Sequence, residues 1–198
     1  MPSIAAIILA AGAASRMGAP KQLLKIDGET LIRRTARAAI EAQCSPVVAV
    51  LGAGSDEIAG ELADLPVPIA LNPHWQLGMG TSVRAGLAAA LRFSPDIAGV
   101  LLTVCDQPHL SAQILANLLT VHARGQSPIT ASAYADTLGP PGVFSRQIFT
   151  ALEALEDQSG AKKLITATLS DVTPFPWEAG AVDIDTPQDW ASYRKQQG

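Results

Sequence analysis

The sequence predicts an α/β fold in which a mainly parallel sheet is flanked by helices on both faces. Three observations carry this. Short apolar runs alternate at least four times with segments of helical period, alanine is the commonest residue while aromatics make up only 5%, and hydrophobic residues reach 48% of 198. Such a chain builds its core from aliphatic strands and closely packed, alanine-rich helices. The length fits a single domain, taken as residues 1–198. A mean hydropathy of +0.23 excludes a disordered or low-complexity chain.

The first run, Ile4 to Leu9, is continuously apolar, as in a strand buried on both faces, and stops at Ala10-Ala11-Gly12. Further strands are expected at Val47 to Leu51, Val67 to Leu71, Ile97 to Val104 and Ile129 to Ala133. Between them, Leu31 to Ala42 follows Thr30 as N-cap, Asp56 to Leu65 follows Ser55, Thr81 to Arg92 follows a glycine pair, and Ser111 opens Ala112 to Ala123. Gly139-Pro140-Pro141-Gly142 argues against regular structure, so residues around 134–180 are expected to form an insertion over the sheet, with a helix at Ser145 to Glu156. Val182 to Asp185 reads as a short strand, and Thr186-Pro187-Gln188-Asp189 as the start of a helix.

A net charge of −4 argues against generic nucleic-acid binding. Its distribution is uneven: Arg16, Lys21, Lys25, Arg33, Arg34 and Arg37 face only Asp27 and Glu29 within the first forty residues. An anionic small molecule near the N-terminus fits this, and a solvated helix face accounts equally well for Arg33, Arg34 and Arg37. Cys44 and Cys105 are far apart and show no metal-ligand spacing, so a reducing cytoplasm is expected. The opening apolar stretch lacks the basic segment of a signal peptide, and no run reaches the roughly 18 apolar residues of a membrane span.

Two places carry chemistry. The segment from Leu9, Ala10, Ala11 and Gly12 through Ser15, Arg16 and Gly18 to Lys21 follows the first strand. Its small residues let backbone N–H groups approach an anion, and Arg16 and Lys21 add a planar fork and a point charge. The spacing matches neither the P-loop nor the dinucleotide fingerprint, and an ordinary loop with two surface cations has the same spacing. Gly52-Ala53-Gly54 and Gly78-Met79-Gly80 lack a third glycine, having Glu57 and Val83 there, which disfavours a nicotinamide-dependent oxidoreductase. The second place is Asp106, after an apolar strand and before Gln107-Pro108, where a carboxylate enters the crevice at the strand's carboxyl end. Beside a phosphate donor it would hold Mg²⁺, with Asp185 as its partner. A loop-capping Asp is the alternative.

Taken together, Leu9-Ala10-Ala11-Gly12-x-x-Ser15-Arg16-Met17-Gly18-x-Pro20-Lys21, Cys105-Asp106-Gln107-Pro108 and Asp183-Ile184-Asp185-Thr186-Pro187-x-Asp189 resemble the MobA-like nucleotidyltransferases, specifically the molybdenum cofactor cytidylyltransferase branch. Asn72-Pro73-x-Trp75-x-x-Gly78-Met79-Gly80-x-Ser82 and Gly139-Pro140-Pro141-x-Val143-Phe144 extend the match. The resemblance implies a Rossmann-like domain of the nucleotide-diphospho-sugar transferase type. It implies a triphosphate wrapped by the N-terminal loop with Arg16 and Lys21, and Mg²⁺ held by Asp106 and Asp185. It also implies a base near Gly80 and Ser82, and an acceptor near Gly139, Pro140 and Pro141, on the side of the 134–180 insertion.

The activity so implied is transfer of CMP from CTP to the terminal phosphate of molybdopterin, with a molybdoenzyme or cofactor-maturation protein as partner and neither nucleic acid nor membrane involved. Ala11 marks the cytidylyl branch, since guanylyl-transferring relatives carry Leu-Ala-Gly-Gly there. One departure concerns the acceptor: Asp157-Gln158-Ser159-Gly160-Ala161-Lys162 replaces the family's Gly-Asp-x-Gly-Ala-Arg. Transfer to another phosphorylated acceptor such as a sugar phosphate, and a non-catalytic nucleotide- or cofactor-binding protein, remain the alternatives.

Overall fold

The computed structural model of the protein describes residues 3–13 and 17–197. Its centre is β1 (Ile4–Leu9), joined in parallel to β4 (Val47–Leu51) on one side and β6 (Gly99–Val104) on the other. β5 (Ile69–Leu71) extends the sheet beyond β4. On the other flank β8 (Thr137–Ser145) runs antiparallel to both β6 and β7 (Ile129–Tyr134), and β9 (Val172–Pro176) pairs in parallel with β7, giving the order β5-β4-β1-β6-β8-β7-β9. β2 (Lys25–Ile26) and β3 (Glu29–Thr30) form a separate hairpin.

The two-residue period of β1 divides the core into two layers. Ala6 and Ile8 pack with Ile32, Ala36 and Ala39 of α1 (Leu31–Glu41), Ile58 of α2 (Ser55–Gly60), and Leu115 and Leu118 of α4 (Ala112–Arg124). Ala5 and Ile7 pack with Val83, Leu87 and Ala90 of α3 (Met79–Phe93), Leu152 of α5 (Phe149–Glu153) and Ile165 of α6 (Lys162–Ala167). A third cluster holds Tyr193 of α7 (Pro187–Gln197) against Ile26, Leu31 and Ile184.

The sequence placed the main parallel strands and helices well, and misplaced the region after residue 134. That region contributes β8 and β9 to the sheet instead of lying over it, and its Gly-Pro-Pro-Gly run sits inside β8. Prolines are tolerated there because the β7–β8 register shifts between Ala131 and Ser132, pairing Ala131 with Gly142 but Ser132 with Gly139, so both prolines fall in the bulge. The helix expected from Ser145 begins only after a 3-10 turn, Arg146–Ile148, and ends at Glu153. The α2 helix is likewise shorter than its apolar pattern suggests, ending at Gly60.

Val182 to Asp185 is not a strand. It is an extended segment joined to the end of β6 by the Ile184 N–H, which donates to the Asp106 carbonyl at 2.9 Å. The helix after it starts as expected. The Thr186 N–H donates to Asp189 Oδ2 at 2.8 Å and the Asp189 N–H donates back to Thr186 Oγ1 at 3.2 Å, a reciprocal cap.

Candidate active site

All parallel strands of the central sheet end at one edge, and Lys21, Asp106 and Asp185 meet there. Lys21 opens a 3-10 turn, Lys21–Leu23, behind Pro20. Its Nζ donates to Asp106 Oδ2 at 2.5 Å and to Asp185 Oδ1 at 2.6 Å. Burial alone would lower the lysine's pKa, but the Asp106 and Asp185 carboxylates outweigh it and hold the ammonium well above its usual range. Nearby, the Asp183 carboxyl is pushed up by partial desolvation and by the charges of Asp185, Asp106 and Asp189. Negative charge is therefore concentrated at this edge, with one ammonium between two of the acids.

The N-terminal loop is anchored by a residue that the sequence reading missed. Gln22 is 2% exposed, and its Nε2 donates to the carbonyls of Ala10 and Gly12 at 2.9 and 3.0 Å. Ala11 is tied to the β4 loop by the Ala53 N–H at 3.1 Å, and its methyl packs in the core layer beneath α3. Gly12, Ala13, Gly18, Ala19, Pro20, Gln22, Ala53 and Gly54 line a cleft of about 270 Å³. Ser15 and Arg16 lie outside the described residues. The other N-terminal arginines are engaged in ion pairs of their own: Arg33 with Asp64, Arg34 with Asp27, and Arg37 with Glu29 and Glu41.

Gly80 and Ser82 are buried in a polar knot at the start of α3. Asn72 donates from Nδ2 to Thr81 Oγ1 at 2.8 Å and to Ser82 Oγ at 2.9 Å, and the Gly80 N–H donates to the Asp157 carbonyl at 2.8 Å. A Cβ on Gly78 or Gly80 would run into the backbone of residues 156–158, so glycine here lets that strap lie flat on the helix. Arg84 completes the attachment by donating to the Leu155 carbonyl and the Asp157 carboxylate. These contacts fix residues 155–157 to the start of α3.

On the β8 side, Gln107 Nε2 donates to the carbonyls of Pro140 and Gly180 at 3.1 and 3.0 Å, and the Tyr134 hydroxyl donates to Pro140 at 3.0 Å. Ser132 Oγ donates to Pro141 at 2.8 Å, and Gly139 lies against the Tyr134 hydroxyl. Gln107 thus couples the residue after Asp106 to the Gly139–Pro141 segment. Its place beside Asp106 was visible in the sequence, but its contacts were not.

Asp106 and Asp185 are suited to a divalent cation. They present carboxylate oxygens to one cationic group at hydrogen-bond distance, and two carboxylates completed by phosphate oxygens form a hard-cation donor set.

A model of the MobA-like NTP transferase domain matches residues 6–172. Nicotine blue oxidoreductase of Paenarthrobacter nicotinovorans is 36% identical over 147 residues, covering 74% of this chain and 69% of that protein. The bifunctional protein GlmU of Syntrophotalea carbinolica is 32% identical over 93% of this chain, which spans 41% of GlmU's length. Among solved structures, Rv0371c of Mycobacterium tuberculosis superposes with a TM-score of 0.84 at 27% identity, covering 98% of each chain. A manganese complex of Rv0371c gives a TM-score of 0.79 at 27% identity, over 96% of this chain and 97% of that one.

Proposed function

The chain belongs to the MobA-like NTP transferase family, and from that premise we propose that it transfers CMP from CTP to the terminal phosphate of molybdopterin, releasing pyrophosphate. One observation carries the reading: Lys21, Asp106 and Asp185 converge at the sheet's carboxyl edge beside a loop of small residues. In the reaction an acceptor phosphate oxygen forms a bond to the α-phosphorus of CTP. The bond from that phosphorus to the bridging oxygen breaks, and pyrophosphate leaves with the electron pair. The nucleophile is already an anion, so no general base is needed, and the protein positions and neutralises.

Asp106 and Asp185 would hold Mg²⁺, which when bound neutralises phosphate oxygens as a Lewis acid. Lys21 and Arg16 would supply positive charge to the triphosphate. Gln22 holds the Ala10 and Gly12 carbonyls, and the loop they begin would approach the same anion. Residues 134–180 carry the acceptor side of a single nucleotidyltransferase domain, with Gly139 to Pro141 fixed by Gln107 and Tyr134. The base lies along the Gly80–Ser82 wall. A cytoplasmic setting suits the free Cys44 and Cys105, and among the described residues no helix is long and apolar enough to cross a membrane.

The name of the nicotine blue oxidoreductase supports a second reading, oxidoreductase action on nicotine blue. The deciding experiment incubates the protein with α-labelled CTP, Mg²⁺ and purified molybdenum cofactor, alongside a panel of sugar phosphates. Label should enter the cofactor with one pyrophosphate per transfer. Transfer only to a sugar phosphate would replace the acceptor. No transfer to any acceptor, together with redox turnover of nicotine blue, would replace the reaction.

A further inference from the structure

Gln107 is 5% exposed, yet only half of its carboxamide finds partners. Both Nε2 hydrogens are committed, one to the Pro140 carbonyl at 3.1 Å and one to the Gly180 carbonyl at 3.0 Å. Its Oε1 is buried and has no hydrogen-bond partner among the described residues. A flipped amide would set that oxygen against two carbonyls, so the acceptors fix its orientation. An unpaired buried oxygen costs stability on the same scale as the two bonds return it. Stability alone therefore does not account for a glutamine here, and the reason lies in what the side chain joins.

Gly180 opens the approach to Asp185 from its N-terminal side. The Gly180 carbonyl is held by the Gln107 side chain, and four residues on the Ile184 N–H is held by the Asp106 carbonyl at 2.9 Å. Both ties run to one corner, residues 106 and 107. That corner is braced in turn by the Leu110 N–H, which donates to the Gln107 carbonyl at 3.1 Å. Gly180 itself is wedged between two rings, since a Cβ there would lie 2.5 Å from Trp177 and 2.7 Å from Tyr134.

Resting on the reading of Asp106 and Asp185 as the metal pair, we propose that Gln107 is the positioning residue of that pair. Its two donors fasten the Asp185 segment to the corner that carries Asp106, and they hold the Pro140 segment in the same frame. One side chain then sets both the spacing of the acids and their relation to β8. A metal site tolerates little error in spacing, so losing these donors acts on metal binding before it acts on the fold.

The test replaces Gln107 with Met, a neutral side chain of similar length that has neither the donors nor the unpaired oxygen. In calorimetric titration of the full chain with Mn²⁺, affinity should fall about tenfold, the scale on which outer contacts support a metal site. Tm in chelator should stay within about 2 °C of the wild type, because the lost bonds and the relieved oxygen oppose each other. Ser132→Ala, which removes a different bond to the same bulge at Pro141, should lower Tm and leave Mn²⁺ affinity unchanged. A folded Gln107→Met chain with wild-type Mn²⁺ affinity overturns the proposal. So does an equal loss in Ser132→Ala, which makes the effect one of general loosening, and so does a wild type that binds no Mn²⁺. If Gln107→Met does not fold, Gln107→Asn decides, since its shorter amide cannot reach both carbonyls and should weaken Mn²⁺ likewise. Transfer from CTP is read separately. A chain that transfers nothing but loses Mn²⁺ affinity in Gln107→Met sinks the transferase and supports the positioning role, and the converse result does the reverse.

Discussion

Replacing Lys21 with Met keeps the apolar stem and removes the charge between Asp106 and Asp185. The two contacts, 2.5 and 2.6 Å long, are charge-assisted hydrogen bonds, each worth about 1.5–3 kcal/mol where water is excluded. Lys21 and Asp106 are 19% and 18% exposed, but Asp185 is 42% exposed. Solvent therefore screens the second pair, and the combined loss comes to about 2 kcal/mol. In a chain of this length that lowers Tm by roughly 4–8 °C. The same change leaves two facing carboxylates without a counter-charge, so Mn²⁺ should bind the variant more tightly than the wild type, whose ammonium must first leave. At about 100 times its Kd the ion adds about 2.7 kcal/mol, enough to raise the variant past the metal-free wild type. Turnover should nevertheless fall at least about a hundredfold, because in the proposed reaction the lysine also neutralises the phosphates. Scanning calorimetry with and without a chelator, together with Mn²⁺ titration, measures all but the last. An unchanged Tm in chelator and an unchanged Mn²⁺ affinity would refute Lys21 as the counter-ion of this pair.

Asp106→Asn and Asp185→Asn should each reduce turnover at least about a hundredfold and weaken Mn²⁺ binding while the fold is kept. Wild-type rates at saturating Mg²⁺ in either variant would dismiss the metal assignment. Gln22→Leu removes both anchors of the N-terminal loop and should lower stability by about 1–2 kcal/mol and raise the KM for CTP, read from urea melts and initial rates. Unaltered nucleotide kinetics would leave Gln22 a purely structural role. His122, hydrogen-bonded to Thr130 and Ser145, is held below its ordinary value by burial. The unfolded chain therefore takes up the proton first, so this contribution is complete above about pH 6.5 and is lost as pH falls from there towards the folded value. Urea midpoints should drop across that window in the wild type and level out in His122→Gln, and a midpoint that rises on acidification contradicts the argument.

The sequence reveals most where one local rule acts alone. Continuous apolar runs place β1, β4 and β6, because a strand covered on both faces has no polar register to hide. Thr186 and Asp189 announce α7 through a cap that spans only four residues. Two kinds of information escape it. The Gly-Pro-Pro-Gly run reads as a breaker until β7 is alongside to absorb two unpaired residues in a bulge. The roles of Gln22, Asn72, Gln107 and Arg84 depend on carbonyls and hydroxyls that approach only after folding, and an amide or guanidinium in a sequence does not say which acceptor it will reach.

The three charged residues of the candidate site come from distant parts of the chain, and Asp185 reaches it by the most indirect route. Its segment has no strand ladder to hold it. The Ile184 N–H reaches the carbonyl of Asp106 itself, and the Ile184 side chain is buried against Tyr193, Ile26 and Leu31. On the far side, Asp189 Oδ2 accepts from the Asp185 N–H at 3.2 Å as well as from Thr186. The second acid is thus positioned by the packing of α7 and its cap, while the first is positioned by the central sheet. Removing the Asp189 carboxylate should therefore loosen Asp185 and leave Asp106 in place. This makes the C-terminal helix part of the machinery that sets the distance between the two acids.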